Sequence, residues 1–462
     1  MAISRREALR LSSLAVASSA LTACGTSSEV KPTKNEQVQT PKLKTNYDAP
    51  LPDTGKTRVV VVGGGWSGLS IAKNTKTFAP DAEIILVEQR HEFVSCPLSN
   101  LWMVDKLDLE YLTHDYLQAA RNYNYTYFQA TAIGMDKENK ILETSDGNIR
   151  YDYLVFAPGI DYDYSRWTKG MSPLDAITFE NRLRKEYPAG FIPGSEHITL
   201  KNKILNFKSG NFIMTVPAGN YRCLPAPYER ACIVADYFKI KKLDAKVILL
   251  DENNTITIKE KGFQSAFDEL YSDYLEYVPG TAINKIDLNE KIIYTEFDEY
   301  EFSDASFYPH VRGAKILERV GLAKDAKNMM EGYINELTYE AIDAKDVFIT
   351  GDARPMGFSK SGNTSNSEGF NVARRIAQRI NKTKKFKWEP PTTTCFSAVS
   401  IEPELAIYIY TQYSYDKSTQ TFDFDGTVSS ENWKIEGRVN ADSIYGWADG
   451  LYYDMFGSSD NS

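Results

Sequence analysis

Several common functional signatures are missing from this 462-residue sequence. The net charge is −9 and no lysine- or arginine-rich run occurs, so no nucleic-acid partner is expected, because that binding needs clustered positive charge. The four histidines lack metal-like spacing, and no metal site is predicted. No C-x-x-C-H motif for haem attachment is present. Beyond the first 24 residues, no apolar run reaches the roughly 18 residues of a transmembrane helix.

Cysteine is scarce, and the first of the five cysteines belongs to an export signal. Arg5 and Arg6 precede a short, weakly hydrophobic stretch, which predicts a Tat-type signal over residues 1–24. The segment LTACG resembles a lipobox, with Cys24 as the lipid-anchored residue; simple cleavage or a short anchor is the alternative. Residues 25–56 are predicted to be a flexible tether. The body is therefore expected on the periplasmic or cell-surface side, where disulfides persist.

The first structured segment predicts a dinucleotide-binding unit. A β-branched strand, Arg58 to Val62, runs into a glycine pattern at Gly63, Gly65 and Gly68. These glycines permit the turn, the approach of a pyrophosphate and close helix packing, and the helix N-terminus favours the phosphates. A second strand ends at Glu88, whose carboxylate suits a ribose hydroxyl. This motif alone is compatible with NAD or FAD.

Two later segments favour FAD. The stretch 151–159 is a strand that leads into a turn of small residues, and 346–353 is a strand that ends in Gly351-Asp352. Together with the first motif they indicate an α/β protein with two Rossmann-like dinucleotide-binding domains, glutathione-reductase-like in arrangement. The FAD domain is predicted to be discontinuous, over 57–165 and 335–390. A second domain occupies 166–334, and a C-terminal α+β domain occupies 391–462.

The second domain lacks the loop that NAD needs. Strands are predicted at 211–216 and 245–251 with a helix over 228–238, but the intervening turn reads PAGNYRCLPAPYERA. Without paired glycines the backbone cannot approach a pyrophosphate closely. We therefore expect the domain to have lost nicotinamide binding, so that electrons come from another donor.

Five stretches of the sequence stand out: SCPLSNLW, RCLPAPYERA, GDARPMGFSKSGNTSNSEG, TCFS and the aromatic tail WADGLYYDMFG. With them, the chain resembles the flavoprotein subunit of flavocytochrome c sulfide dehydrogenase. This family is related to the sulfide:quinone oxidoreductases, and the resemblance runs from about Lys56 to Gly457. It implies a covalent bond between Cys96 and the flavin, and a redox disulfide that contains Cys223. It also implies a sulfur-containing substrate and a c-type cytochrome subunit that carries the haem.

One departure from the family pattern concerns the second half of that disulfide. The partner cysteine is expected within about ten residues of a G-L-x-x-D segment, yet the chain from Gly321 to Ile334 contains none. Cys223 is then a reactive thiolate, half of a disulfide with Cys395 or Cys232, or a relic. Cys232 is expected in the core, and for Cys395 packing is favoured over a place in the flavin pocket.

The remaining site predictions follow from position. Glu229 is the candidate acid/base, and the alternative is a surface salt bridge of the Glu-Arg pair at the start of a helix. Arg222 is expected to lower the pKa of Cys223. Lys360 is expected to stabilise a reduced flavin, and the alternative is a loop lysine in solvent. For Cys96 the alternative to a thioether is a small buried residue. The predicted catalytic residues are Cys223, Glu229 and Lys360. The predicted cofactor-binding residues are Gly63, Gly65, Trp66, Ser67, Gly68, Glu88, Gln89, Arg90, Cys96, Ala132, Ala157, Gly159, Gly351, Asp352, Lys360, Ser361 and Gly362.

Three functions are compatible with this pattern. The first is a lipid-anchored FAD oxidoreductase that oxidises a reduced sulfur compound and passes electrons to a c-type cytochrome. The second is a quinone-reducing sulfur oxidoreductase, which predicts an amphipathic membrane-facing tail. The apolar segment 399–410 is compatible with such a tail, and also with a core strand or a cytochrome interface. The third is a flavin-binding scaffold without catalysis, which the missing cysteine would favour.

Overall fold

A computed structural model describes residues 45–324, 329–383, 388–419 and 421–457. The predicted signal, the lipobox and the first part of the tether lie outside these ranges. The predicted tether over residues 25–56 extends too far, because residues near 47–49 already form backbone hydrogen bonds with the folded chain. The Ala49 N–H donates to the Asn148 carbonyl, and the Asn148 N–H donates to the Tyr47 carbonyl, both at 2.9 Å.

The strands lie singly between helices or follow one another in runs. They are β1 (Arg58–Val62), β2 (Glu83–Glu88), β3 (Glu92–Val94), β4 (Thr113–Asp115), β5 (Thr126–Gln129), β6 (Ala132–Asp136), β7 (Ile141–Thr144), β8 (Gly147–Arg150), β9 (Tyr153–Phe156), β10 (Ile160–Asp163), β11 (Ser209–Val216), β12 (Asp244–Asp251), β13 (Leu275–Val278), β14 (Lys285–Asp287), β15 (Ile292–Tyr294), β16 (Glu299–Glu301), β17 (Asp304–Ser306), β18 (His310–Gly313), β19 (Ala323–Lys324), β20 (Glu331–Gly332), β21 (Val347–Ile349), β22 (Thr392–Ile401), β23 (Glu404–Asp416) and β24 (Thr421–Ser430).

The helices are α1 (Trp66–Phe78), α2 (Ser99–Met103), α3 (Leu109–Leu112), α4 (Tyr116–Tyr123), α5 (Pro173–Glu186), α6 (Ser195–Asn206), α7 (Ala226–Ile240), α8 (Glu260–Leu270), α9 (Lys315–Arg319), α10 (Gly362–Ile380) and α11 (Trp433–Phe456), with a 3-10 turn at Gly351–Ala353. Within the described ranges, none of them combines the length and the hydropathy that a membrane span requires.

Two parallel sheets form the centre of the fold. The first has the order β21-β9-β1-β2-β5 and the second the order β13-β12-β11-β17. Val59 to Val62 of β1 are buried, as expected for a central parallel strand covered on both faces. The paired Rossmann-like architecture predicted from the sequence is confirmed. The two-stranded pair of β10 and β18 links the regions that carry the sheets.

Smaller antiparallel elements complete the described chain. β6, β7 and β8 form a meander, and β14, β15 and β16 form another. The C-terminal sheet β22-β23-β24 is covered by α11. The apolar segment 399–410, for which the sequence left a core strand or an interface open, contains a reversal between β22 and β23, and its residues Ala406 and Ile407 are fully buried. It is therefore largely core.

Candidate active site

The turn between β1 and α1 has the geometry of a phosphate-binding loop. Gly63 has a left-handed φ of 101°, and a Cβ there would lie 2.3 Å from the Ala157 carbonyl oxygen. A Cβ on Gly68 would lie 1.8 Å from the carbonyl oxygen of Gly63. Both positions therefore require glycine for close packing. A Cβ on Gly65 would meet nothing within 4 Å, so the backbone there is open to an approaching ligand.

Glu88, at the end of β2, holds this loop through hydrogen bonds. One oxygen of the Glu88 carboxylate accepts the Gly64 N–H at 2.7 Å, and the other accepts the Arg90 N–H at 2.9 Å. The Tyr116 hydroxyl donates to the Gly64 carbonyl at 2.8 Å. Each carboxylate oxygen keeps a second lone pair, so Glu88 can fix the loop and still accept a ribose hydroxyl.

A groove of about 770 Å³ opens at the carboxyl ends of β1, β2, β9 and β21. We refer to it as the dinucleotide groove. The 3-10 turn that carries Gly351 and Asp352 and the first residue of α10, Gly362, form its far side. Helix α10 begins after Ser361, whose hydroxyl accepts the Thr364 N–H. The positive end of this 19-residue helix therefore faces the groove.

A second cavity, of about 800 Å³, adjoins the groove and contains the reactive side chains. We refer to it as the thiol cavity. It shares Arg222 and Gly362 with the dinucleotide groove. Its walls carry three thiols and one carboxyl group, those of Cys96, Cys223, Cys395 and Glu229. The arrangement brings together residues that lie up to about 300 positions apart in the sequence.

Arg222 lies at the junction of the two spaces. Its guanidinium donates to the Phe191 carbonyl at 2.7 Å and to the Cys96 Sγ at 3.4 Å, and its Nε lies 3.2 Å from Asp352 Oδ2. Burial lowers the pKa of Arg222, but the nearby Cys96 and Asp352 outweigh this and raise the pKa above its ordinary value. Arg222 is therefore a fixed positive charge between the groove and the thiols.

Cys223 is held in a strained turn. Its φ is 58°, a left-handed value unusual for a side chain with a Cβ, and its N–H donates to the Lys360 carbonyl at 2.6 Å. Burial raises the pKa of the thiol well above its ordinary value, and Cys395 and Glu229 raise it further. The lowering effect expected of Arg222 exists but is outweighed, because the thiol is removed from water.

Cys395 supplies a second thiol in the same cavity. It lies on β22 beside Ser397, and the Lys259 ammonium approaches from the start of α8, with Nζ 3.9 Å from the sulfur. Burial raises the pKa of Cys395; Lys259 lowers the pKa and Glu229 raises it. No disulfide joins the cysteines in the described ranges.

Glu229 belongs to the first turn of α7 and faces the two thiols. Its Oε1 accepts the Ala398 N–H at 3.1 Å. Burial raises the pKa of the carboxyl to about 7, despite the lowering effects of Lys259 and of the hydrogen bond from Ala398. A carboxyl group with this pKa can exchange a proton near neutral pH, which an acid/base role would require.

The likeness to known proteins agrees with this geometry. Three family models match: pyridine nucleotide-disulphide oxidoreductase over residues 57–175, the central region of the sulfide dehydrogenase [flavocytochrome c] flavoprotein chain over 198–306, and the flavin-binding region of flavocytochrome c sulphide dehydrogenase over 389–456. The flavoprotein chain of sulfide dehydrogenase from Chlorobaculum thiosulfatiphilum is 50% identical over 46 residues, which are 10% of this chain and 96% of that sequence. The chain belongs to the flavocytochrome c sulfide dehydrogenase flavoprotein family.

More distant relatives share the fold. The mitochondrial sulfide:quinone oxidoreductase of Dictyostelium discoideum is 22% identical over 384 residues, covering 79% of this chain and 82% of that protein. The solved sulfide:quinone oxidoreductase from Aquifex aeolicus aligns with a TM-score of 0.67 at 15% identity, over 88% of this chain and 93% of that one. The putidaredoxin reductase–putidaredoxin complex gives a TM-score of 0.59 at 13% identity, over 88% and 99%. These structures share the fold; the matching family models make the chain a flavoprotein oxidoreductase that binds FAD.

The described residues fit FAD. The dinucleotide groove has an open glycine backbone at Gly65, an acid at Glu88 and a helix N-terminus at Gly362. In the thiol cavity, the buried indole N–H of Trp447 has no acceptor among the described residues, so a donor remains for a ligand. Eleven of the predicted cofactor residues line the groove: Gly63, Gly65, Trp66, Ser67, Glu88, Arg90, Ala157, Gly159, Gly351, Asp352 and Gly362.

The other predicted cofactor residues lie elsewhere. Cys96 and Ser361 line the thiol cavity, and Gly68 packs behind the loop. Gln89 and Ala132 line neither space: Gln89 follows the end of β2, and Ala132 begins the meander strand β6. The prediction that these last two contact the cofactor is not supported, because neither reaches the groove wall.

Lys360 requires a correction. Its side chain is buried, and Nζ donates to Glu331 Oε1 at 2.6 Å, to the Asp352 carbonyl at 2.8 Å and to the Arg354 carbonyl at 3.2 Å. All three donors of the ammonium are therefore used within the protein, and the side chain lines neither cavity. The alternative of a lysine in solvent is therefore wrong, and the role of a charge at the flavin has no support from the position of the side chain. Lys360 instead holds the Asp352 turn in place.

Sequence reasoning missed part of the thiol cavity wall. Cys395 was expected to serve packing, but it faces the cavity shared with Cys223. Further wall residues without a sequence assignment are Asn100, Phe191, Arg230, Asn363, Phe396, Ile444 and Trp447. The TCFS stretch was the available signal for Cys395, and only the folded chain brings it opposite Cys223. Cys232, expected in the core, is fully buried in α7.

Proposed function

We propose that this protein is the flavoprotein subunit of an extracytoplasmic sulfide dehydrogenase, which oxidises sulfide through a Cys223–Cys395 disulfide and passes the electrons to a c-type cytochrome subunit. One observation carries the proposal. Cys223, Cys395 and Glu229 line a single cavity that adjoins the dinucleotide groove. Sulfide chemistry on a disulfide needs two thiols, a proton carrier and an electron acceptor within reach.

The two cysteines would form the bond that is attacked. Hydrosulfide attacks one sulfur of the disulfide, the S–S bond breaks, one cysteine becomes a persulfide, and the other leaves as a thiolate. No external oxidant is needed for this step, since the disulfide is the electrophile. Re-forming the disulfide from the persulfide and the thiolate releases the sulfane sulfur and two electrons, for which FAD would supply the acceptor when bound.

The surrounding residues control charge and protons. Glu229, with its pKa of about 7, can accept the proton that hydrogen sulfide or a cysteine thiol must lose. Arg222 holds positive charge where the cavity meets the groove, which favours anions there. The gap noted in the segment 321–334 therefore does not remove the redox pair, because Cys395 provides a second thiol.

Export and cofactor attachment complete the proposal. The twin-arginine segment and the LTACG stretch support Tat export and a lipid anchor at Cys24. A thioether between Cys96 and the flavin is supported by the position of Cys96 in the thiol cavity, 3.4 Å from the Arg222 guanidinium. Without a haem-attachment motif in this chain, a partner subunit would carry the haem.

The second candidate acceptor is a quinone. A small crevice of about 260 Å³ beside the thiol cavity shares Leu101 and Ile444 with it and is lined mainly by apolar side chains. Two relatives are named as a sulfide:quinone oxidoreductase and a sulfide-quinone reductase, which is why quinone is the alternative acceptor. A non-catalytic scaffold is less well supported, because both the groove and the thiols are in place.

The decisive experiment is an anaerobic sulfide titration of the exported protein while flavin absorbance is followed. Stoichiometric bleaching is expected in the wild type, and Cys223→Ser and Cys395→Ser should each abolish it, while Cys232→Ser, a buried thiol outside the cavity, should not. Dithionite should still bleach all variants, which shows that flavin is bound. If sulfide does not bleach the wild type while dithionite does, the sulfide assignment is wrong. Transfer of the electrons to quinone and not to cytochrome c would favour the second candidate.

A further inference from the structure

Lys259 is a buried lysine whose side chain points toward the sulfur of Cys395. It precedes α8 with a left-handed φ of 52°, and 4% of its surface is exposed. Its Nζ donates to Ser397 Oγ at 2.6 Å and to the Cys395 carbonyl at 3.4 Å, and it lies 3.9 Å from Cys395 Sγ. The ammonium therefore contacts the sulfur and the carbonyl of Cys395 and the hydroxyl of nearby Ser397.

The charge of this lysine has no ion-pair partner in the described part of the chain. A buried lysine is ordinarily paired with a carboxylate, because removing an ammonium from water is costly. Among the described residues the Nζ of Lys259 forms no ion pair within 4.0 Å and instead donates to Ser397 and to the Cys395 carbonyl, while Glu229 interacts with it electrostatically. The position is thus one where a negative charge would be strongly favoured.

Cys395 is the group on which such a charge would form. Opening a Cys223–Cys395 disulfide leaves one sulfur as a thiolate and the other as a persulfide, which is itself acidic. Glu229 opposes negative charge on both thiols. Without a counter-charge, an anionic sulfur in this enclosed cavity would be disfavoured by desolvation.

We propose that Lys259 is a positioning residue that stabilises negative charge on the Cys395 sulfur, whether as a thiolate or as a persulfide. The role in turnover rests on the proposed sulfide chemistry, but the electrostatic effect does not. The hydrogen bond to Ser397 fixes the direction of the side chain toward β22, and the ammonium also lies over the ring of Phe263 on α8, 5.8 Å from its centroid.

The test is the pH dependence of Cys395 alkylation in the FAD-loaded protein. A Cys223→Ser background removes the coupled thiol, iodoacetamide is the reagent, and peptide mapping reports Cys395 alone. Replacing Lys259 with methionine should move the alkylation midpoint to higher pH by about one unit or more, so that Cys395 reacts about tenfold more slowly at a fixed pH on the rising limb. Lys259→Arg, which keeps the charge, should restore most of the effect.

Two further variants separate charge from structure. Lys259→Gln keeps a donor for Ser397 but removes the charge, so it should behave like the methionine variant and also serves if that variant fails to fold. Ser397→Ala keeps the charge and removes the hydrogen bond, so its midpoint should shift less. An unchanged midpoint in Lys259→Gln, with FAD content and thermal stability retained, would overturn the proposal.

The outcome is independent of the sulfide assignment. Alkylation needs no sulfide, so a shifted midpoint in a protein that sulfide cannot bleach would support the role of Lys259 and reject the proposed substrate. Normal bleaching by sulfide together with an unshifted alkylation midpoint would support the sulfide substrate and reject the role of Lys259.

Discussion

Replacing Glu229 with glutamine gives the most direct test of proton transfer in the thiol cavity. An ordinary glutamate would be almost fully ionised throughout the range from pH 6 to pH 8. With a pKa of about 7, Glu229 is about 10% ionised at pH 6 and about 90% ionised at pH 8. If the carboxylate accepts a proton in the sulfide reaction, its contribution should rise about ninefold across this range. Glutamine cannot accept that proton, but its oxygen can still accept the Ala398 N–H.

The assay is rapid anaerobic mixing with sulfide at a series of pH values, with the initial rate of flavin bleaching measured for both proteins. Sulfide itself titrates in this range, but its contribution is common to both and cancels in the ratio of wild-type to variant rates. That ratio should increase with pH along a single ionisation centred near 7. A constant ratio would refute the proton-transfer role. A ratio that falls with pH would mean that the carboxylate acts only by opposing thiolate formation.

Three further predictions concern the cofactor and the folded state. Cys96→Ala should make the flavin extractable by acid, whereas the wild type should retain it, and an extraction-resistant flavin in the variant would reject the thioether. Arg354→Met should lower the free energy of unfolding by about 3–5 kcal/mol, because it leaves Glu368, fully buried 2.9 Å from Arg354, without its charged partner. Denaturant unfolding measures this loss. A double variant that also replaces Glu368 with leucine should recover part of it. His114 has a pKa lowered by burial to about 4, so it contributes stability that is present above pH 6.5 and lost as pH falls toward 4, by up to about 3 kcal/mol. His114→Phe should lose correspondingly less stability between pH 7 and pH 4.5 in denaturant titrations, and equal losses in both proteins would contradict this.

The FAD part of the site was predictable because its determinants are local. The glycines at 63, 65 and 68 and the acid at 88 belong to one strand–turn–helix–strand unit, where spacing in the sequence fixes spacing in the fold. Cys395 was not predictable in this way, since its place beside Cys223 depends on how β22 packs against α7. Lys360 failed for a related reason: its position in the loop was right, but its rotamer is set by Glu331, a partner on the distant strand β20.

The turn after β11 explains how a dinucleotide-binding architecture can serve a different donor. In the position where a glycine-rich loop would expose backbone N–H groups, the Cys223 N–H is already used by the Lys360 carbonyl, and a bridge joins Arg222 to Lys360. The turn is therefore attached to the FAD-side loop instead of being open to a phosphate. A left-handed conformation at a residue with a Cβ costs about 1–2 kcal/mol, and glycine would relieve it at the expense of the thiol. Retaining the strain directs the Cys223 side chain into the cavity that Cys395, Glu229 and Arg222 line, which is the arrangement that sulfur chemistry at a flavin requires and hydride transfer from a nicotinamide does not.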